Sequence, residues 1–599
     1  MNNIIAELTA ELNWKAPDGL KTVKCGTGFR IEKRGGSCKL NYANNVMLAR
    51  ALLEMKSRKD EDYVYDYVPQ MDNTGIMFDC SRNGVLNMPT IKRLIRMCAL
   101  MGYNMFLLYM EDVYTIKQRP YFGYLRGRYS EAELKEVEAY AKKFDIEVVP
   151  CIQTLAHLET AKKWWDLGDK FDLGDILFCD YEPTYELIDD MFAAIRESFT
   201  TDKINIGMDE AEMVGLGKYL KKYGYHDRFS IILKHLNRVC KIAEKYGFKP
   251  IMWSDMFFRI VNDGYYYGEN PVPQEVIDKV PENVALAYWD YRDLTSEHYD
   301  RMLKEHSKFN RDIWMVNTSW KCIGIVPHNY YTFNTFDALL PAIKKYGLKN
   351  FYTTCWGDNG AECSVYGVIP SWLYISLRIN GIDDRDAFEK LFLAMTDISL
   401  KDFLLIDTPN MLGKSRLLCE CPSKYFLYSD LFSGFLDARC YDEYETSMKE
   451  VVKNLEKFDG GKFSLMFNVD KTLAKVLEIK LLLGKKTRSA YKSKNISVLK
   501  EMAEKIYPEL IKRIENFHNA MYNRWNDENK PQGFEVQDIR IGGLLQRVKT
   551  CKRRLDEFLQ SGKPVDELDE EILPFKHSAA DDEHMIYYNW SNYVTVNTL

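Results

Sequence analysis

The chain has 599 residues, 46% hydrophobic and 28% charged: too long for one hydrophobic core and too apolar for a disordered chain, so several packed domains are expected. A formal net charge of -6 leaves no basic field for polyanions, and the apolar runs are only of strand length, so neither nucleic acid nor a membrane is expected as a partner. The start MNNIIAELTAELNWKAPDGL lacks the basic, apolar and small-residue pattern of a secretory leader, and the 14 cysteines are scattered, several (Cys80, Cys98, Cys151, Cys355) inside strand-like or helix-like runs; a reducing cytoplasm is the expected compartment.

Residues 1–70 carry two short strand candidates, LKTVKCGT and FRIEKR, then an alanine- and leucine-bearing helix near Val46 to Lys56, and read as a small α/β domain. From Gly75 short apolar strands alternate with amphipathic helices, a pattern that favours a parallel sheet with helical crossovers. The strand candidates are GIMFDCSR from Gly75, NMFLLYMED from Asn104, EVVPCIQT from Glu147, KINIGMDE from Lys203, PIMWSD from Pro250, VALAYWDY from Val284, DIWMVNTSW from Asp312 and NFYTTCWGD from Asn350. Helical segments separate them, such as PTIKRLIRMCALMG from Pro89 and SEAELKEVEAYAKKF from Ser130, where Ser130 and Glu133 have capping-box spacing. Eight such units predict a (β/α)8 TIM barrel over residues 71–395. An open doubly wound sheet is the alternative, although no GxGxxG or GxxxxGK[ST] stretch supports nucleotide binding on it. Beyond about residue 400 long amphipathic stretches such as LAKVLEIKLLLGKK replace the strands, so residues 396–599 are expected to form a mainly α-helical domain. That domain is expected either to brace its own barrel or, in a homodimer, to complete a partner's active site. The final MIYYNWSNYVTVNTL is aromatic and β-prone and is expected to dock on a neighbouring surface or add a strand.

Every barrel strand begins apolar and ends polar or aromatic, and ligands of this fold meet the carboxyl ends of the strands, so the strand ends are a reading of the site. The fourth ends Asn205-Ile206-Gly207-Met208-Asp209-Glu210-Ala211. Adjacent carboxylates repel, which calls for cationic partners or for one to stay protonated, and both can reach one pocket only where the strand breaks into its loop. The plain alternative is a solvated helix start, where acidic side chains offset the macrodipole. Arg82, ending the first strand, suits a fork of hydrogen bonds to vicinal hydroxyls or an ion pair with a barrel acid. Trp253, Trp289, Trp320 and Trp356 end the fifth to eighth strands; one buried tryptophan is ordinary core, but four in succession suggest an apolar wall, three of them touching ligand. His157, beyond the third strand, is either structural or orients Glu210 together with Asp112 or Glu111, and Glu362 is placed on the rim. Cys419 and Cys421 form a lone CxC, and neither HExxH nor GxSxG occurs, so no metal and no cofactor are expected.

The segment KINIGMDEAEMVGLG resembles the His/Asn-x-Gly-x-Asp-Glu signature of glycoside hydrolase family 20, the β-N-acetylhexosaminidases, and especially the subgroup lacking the usual secreted architecture. PYFGYLRGRYSEAELKEVEAYAKKFDIEVVPCIQTLAH resembles the family's stretch between second and third strands, and FDCSRN its first-strand arginine motif; the likeness runs from about Gly75 to Pro370, with Asn205 where many members have His. The resemblance implies an exo-acting retaining enzyme that releases terminal β-linked N-acetylglucosamine, or N-acetylgalactosamine, from an oligosaccharide or glycoconjugate, the substrate's own acetamido group serving as nucleophile. It implies Glu210 as general acid and then base, with a raised pKa, and Asp209 as acceptor of the acetamide N–H. It further implies that Arg82 holds sugar hydroxyls, that Asp358 in CWGDNGAE accepts from the 4- or 6-hydroxyl, and that Tyr291, or else Tyr288, meets the acetamido oxygen. Two other functions compete: a non-catalytic sugar-binding barrel, which has no need of a proton donor, and a barrel glycosidase in which Asp255 or Asp290 attacks opposite Glu210.

Overall fold

The computed structural model describes residues 2–59, 61–412, 421–573 and 590–599. Near the amino terminus lie four strands, β1 (Lys21–Lys24), β2 (Phe29–Arg34), β3 (Ser37–Tyr42) and β4 (Tyr63–Tyr67), in the order β1-β3-β2-β4. The helix Asn45–Ser57, capped by the Asn44 side chain, packs its buried apolar face on this sheet. The strand readings at LKTVKCGT and FRIEKR correspond to β1 and β2, whereas β3, β4 and the helix Asn2–Glu11 were not predicted. Glu11 ties that first helix to the barrel through Arg93 (3.1 Å) and Arg96 (2.8 Å).

Eight further strands, β5 (Asn73–Asp79), β6 (Met105–Tyr109), β7 (Glu147–Cys151), β8 (Lys203–Asn205), β9 (Lys249–Trp253), β10 (Ala285–Trp289), β11 (Ile313–Thr318) and β12 (Asn350–Cys355), close into one barrel. Every neighbouring pair is parallel, β12 returning to β5, so this is the (β/α)8 barrel and not the open sheet. Strands covered on both faces read as continuous apolar runs, which is why Met105 to Tyr109 are all fully buried. The capping box at Ser130 and Glu133 forms as expected. β8 is only three residues long and pairs with β7 through the single register Cys151↔Asn205, so the chain leaves the sheet well before Asp209.

The carboxy-terminal region is helical, built on Glu443–Glu456, Ser464–Lys492, Tyr507–Glu528 and Phe534–Ser561. A π-turn at Met502–Ile506 precedes Pro508, whose ring and missing N–H are incompatible with a regular helix interior. These helices brace their own barrel: Asn529 bridges Leu86, Asn87 N donates to Glu528 O, and Lys530 N donates to Val85 O. In the tail, residues 585–589 lie outside the described residues, and Ser591–Val594 is a helical turn, so of the two expectations the added strand is absent from the described residues. Trp590 docks edge-on against Tyr428, with ring centroids 5.6 Å apart. Among the described residues no helix is long and apolar enough to cross a membrane.

Candidate active site

At the carboxyl ends of the barrel strands opens a cavity of about 610 Å³, and Arg82, His157, Asp209, Glu210, Trp253, Trp289, Tyr291, Trp320, Trp356 and Asp358 all line it. Asp209 and Glu210 reach the same space because the chain turns left-handed there, with φ of 72° at Gly207, 77° at Met208 and 52° at Glu210. An extended strand would point them to opposite faces. Asn205 holds the start of this turn, its Oδ1 accepting from Gly207 N (2.8 Å) and its Nδ2 donating to Tyr352 OH (3.3 Å).

The two carboxylates have unlike surroundings. Asp209 is 8% exposed; its Oδ1 accepts from Gln153 Nε2 (2.8 Å) and its Oδ2 pairs with His157 Nε2 at 3.2 Å. Burial opposes its charge, but His157 and the Gln153 bond outweigh burial and hold the carboxyl below its ordinary range. For His157 burial likewise opposes the charge, and the Asp209 anion overrides it, lifting the imidazole to about 10. Glu210 opens toward solvent, its side chain 45% exposed, with Oε1 paired to Arg259 Nη2 at 2.9 Å. Arg259 also binds Asp255 (2.8 Å) and Glu212 (2.6 Å) and donates to Gly264 O (3.1 Å), so it clasps the loop after β8 to the loop carrying Tyr265, Tyr266 and Tyr267. Such a site can keep one carboxylate ionised beside a reacting centre while the other exchanges a proton with a molecule entering from solvent.

Gly207 has a second constraint. A Cβ there would lie 1.9 Å from Gln153 Oε1, and the residue sits at positive φ. Gly207→Ala is therefore expected to destabilise the chain by about 2–4 kcal/mol, combining overpacking with left-handed strain. It should also displace the Gln153–Asp209 bond; urea unfolding that shows no loss would count against this packing.

The floor and walls are aromatic and ionic. Trp356 Nε1 donates to Tyr291 OH (3.0 Å), and the Trp253 and Trp356 rings lie 6.1 Å apart. The guanidinium carbon of Arg82 stands 4.9 Å from both the Tyr109 and Trp356 ring centroids, and the group pairs with Asp79 (3.2 Å) and Glu111 (3.2 Å). Arg82 thus makes the ion pairs of a structural residue while also lining the cavity. Asp358 lies accessible but deep: burial first, then the charges of Asp79 and Glu210, raise its carboxyl to about 6 against the pull of Arg82.

The chain matches the family model described as the glycosyl hydrolase family 20 catalytic domain over residues 73–308 and that of the glycoside hydrolase 20C C-terminal domain over residues 401–587. The chain belongs to glycoside hydrolase family 20. Among curated relatives it is similar to hexosaminidase D of Homo sapiens, 26% identical over 206 residues, covering 32% of this chain and 39% of the relative. It is similar also to hexosaminidase D of Bos taurus, 25% identical over 229 residues, covering 36% and 62% of the two chains. The matched segment therefore spans less than two thirds of either relative. Among solved structures, the GH20 exo β-N-acetylglucosaminidase from Vibrio harveyi in complex with N-acetylglucosamine superposes with a TM-score of 0.51 at 14% identity, over 67% of this chain and 72% of that one, a likeness of fold.

Within this family 20 chain several sequence expectations change. His157, read either as structural or as an orienter of Glu210, stands closer to Asp209 than to Glu210 (3.2 against 3.8 Å). Asp112 instead binds Thr160 and Arg126, and Glu111 binds Arg82 and Tyr109. Glu362 is not on the rim: it is buried between Lys424 (2.5 Å) and Arg540 (2.9 Å). Tyr291 lines the cavity, while Tyr288 is fully buried, donates to Asp290 and stacks on His306. Asp255 and Asp290, the candidate enzyme nucleophiles, stand outside the lining; Asp255 Oδ2 accepts from Glu210 N (3.1 Å) behind the acid, and Asp290 pairs with His298 (2.7 Å). Cys419 lies outside the described residues, and Cys421 is a buried thiol donating to Ile323 O.

Sequence reasoning missed Arg259, Tyr265, Tyr266, Tyr267, Arg292 and Cys322 among the lining residues, and Gln153 behind Asp209. Gln153 was legible as a polar residue ending EVVPCIQT, and the tyrosine triplet as an aromatic run after the fifth strand. Arg259 left no signal beyond its helical spacing from Asp255.

Proposed function

We propose that the chain is an exo-acting, retaining β-N-acetylhexosaminidase that removes a terminal β-linked N-acetylglucosamine from an oligosaccharide or glycoconjugate, N-acetylgalactosamine being the second epimer to assay. The observation that supports this most is the unlike pair at the end of β8: an inner Asp209 held ionised by His157 and Gln153, next to an outer, accessible Glu210. A sugar-binding barrel requires no proton donor, and the lining lacks Asp255 and Asp290, the acids named for a covalent mechanism.

In this reading the acetamido oxygen attacks C1 as the glycosidic C–O bond breaks, and Glu210 gives its proton to the departing oxygen. The Asp209 carboxylate accepts the acetamide N–H and offsets the positive charge of the oxazolinium-type intermediate. Water then attacks C1, Glu210 takes its proton, and the acetamide is restored with retained configuration. In the same reading Tyr291 OH meets the acetamido oxygen, the four tryptophans enclose the sugar, and Arg82 and Asp358 hold its hydroxyls; the lining of the cavity by all seven supports these roles. We assign the protein to a reducing cytoplasm, in keeping with the burial of its described cysteines, only Cys25 being exposed, since a reduced cysteine packs as a small apolar residue.

The test is hydrolysis of an aryl β-N-acetylglucosaminide with product configuration followed by NMR. Release of the β-anomer first, and strong competitive inhibition by a thiazoline mimic of the cyclised acetamide, are expected. No turnover across a wide pH range, or a trapped covalent enzyme adduct, would refute the reading.

A further inference from the structure

We propose that the carboxy-terminal helical domain forms part of the sugar site at one remove, with Arg540 as the positioning residue that sets Asp358 and Trp356. This deepens the hexosaminidase reading and rests on it. The loop after β12, residues 356–362, has two sides. Trp356 and Asp358 line the cavity, and Asn359, Gly360 and Glu362 meet the helical domain.

The barrel holds the loop's beginning: Gly357 N donates to Asp79 Oδ2 (2.9 Å), and Lys321 Nζ donates to Trp356 O (3.3 Å). The helical domain holds the loop from Asn359 onward. Arg540 Nη1 donates to Asn359 O (2.8 Å) and to Glu362 Oε1 (2.9 Å), and Nη2 donates to Asn359 Oδ1 (3.3 Å). Gln537 Nε2 donates to Gly360 O (3.2 Å), and Arg524 Nη2 to Glu362 O (2.7 Å). Asp358 therefore sits between a residue pinned by the barrel and one pinned by the helix Phe534–Ser561. Gly360, at φ 97°, lets the guanidinium lie against the backbone; a Cβ there would stand 2.7 Å from Arg540 Nη1. Trp590 of the tail covers the other side of Arg540, its ring centroid 5.3 Å from the guanidinium carbon.

The chemistry of this contact argues for geometry over adhesion. Glu362, Lys424 and Arg540 are all buried, and removing three charges from water is costly, whereas apolar side chains of the same volume would hold two domains together as well or better. What a forked guanidinium adds is direction, since its hydrogen bonds fix the backbone at Asn359 in one orientation.

The test is a double-mutant cycle of Arg540→Ala and Asp358→Asn on an aryl β-N-acetylglucosaminide, with Arg540→Lys as the conservative variant and thermal melting as the folding control. Arg540→Ala is expected to lower kcat/KM about 10- to 100-fold, the scale of losing charge-assisted hydrogen bonds, and about threefold or less once Asp358 is already Asn. Arg540→Lys should recover part of the loss and carries the same cycle if the alanine variant fails to fold. A folded variant with activity within about twofold of the parent, or losses that multiply independently in the two backgrounds, would overturn the proposal. If the parent chain hydrolyses no N-acetylhexosaminide, the functional reading fails by itself; hydrogen exchange of residues 356–362 then judges the clamp, which is refuted if Arg540→Lys leaves their protection unchanged.

Discussion

Glu210→Gln is expected to lower kcat on an unactivated β-N-acetylhexosaminide by about 10²–10⁴-fold with little change in KM, the range for losing a positioned acid–base group. The amide has the same shape and can still accept from Arg259, so the pocket should remain in place while the proton is lost. A substrate with a very acidic leaving group needs no protonation as the glycosidic bond breaks, so its loss should be smaller, and the ratio of the two losses measures the acid role. Because the Glu210 side chain is nearly half exposed, stability should change by no more than about 0.5 kcal/mol. Undiminished turnover of the unactivated substrate would remove Glu210 from the mechanism.

Asp209→Asn is expected to lower kcat by about 10²–10³-fold, on the scale of removing one preorganised electrostatic partner of a transition state. It should weaken thiazoline inhibition as well, because the cyclised acetamide loses its acceptor. A second signature comes from His157. In the parent chain the imidazole is raised to about 10, so its stabilising contribution is complete below its unfolded value of about 6.5 and is lost as pH rises through 10. The depressed carboxyl of Asp209 contributes above its unfolded value of about 3.9 and is lost as pH falls through its folded value. The ion pair therefore persists through the whole neutral range. Without the Asp209 charge, burial and Arg82 act to lower the imidazole against the pull of Glu111, so the titration of His157 should fall from about 10. Imidazole NMR of the two proteins checks this, and a His157 titration unmoved by the substitution would refute the pairing. With Asp209→Asn the pH dependence of stability should flatten between about pH 7 and 10.

The clasp at Arg259 bears on both variants. It connects Glu210 and Glu212, after β8, with Asp255 and Gly264, after β9, and so ties Glu210 to the tyrosine loop. Asp255, buried beneath Asp209 and Glu210, is raised to about 7 by burial and by those two charges against the pull of Arg259. It stands outside the cavity lining and supports the loop by accepting from Glu210 N.

The amino-acid sequence by itself determined the barrel and part of the lining of its mouth. Strands buried on both faces must be apolar along their length, and in a closed parallel barrel their carboxyl ends converge, so Arg82, Asp209, Glu210 and the four tryptophans could be read as strand-end residues before any contact was known, the family resemblance adding Asp358 and singling out the acidic pair. Tertiary structure alone decided which groups pair within that ring. His157 meets Asp209 because of left-handed turns at Gly207, Met208 and Glu210, and Arg259 meets Glu210 across two separate loops. Glu362, read as a rim residue, is buried because a helix some 180 residues further along the chain delivers Arg540 to it. Strand periodicity is a local property and survives in one dimension; the partners of a charged side chain depend on loop direction and on domains packed from a distance, and these leave no period in the sequence.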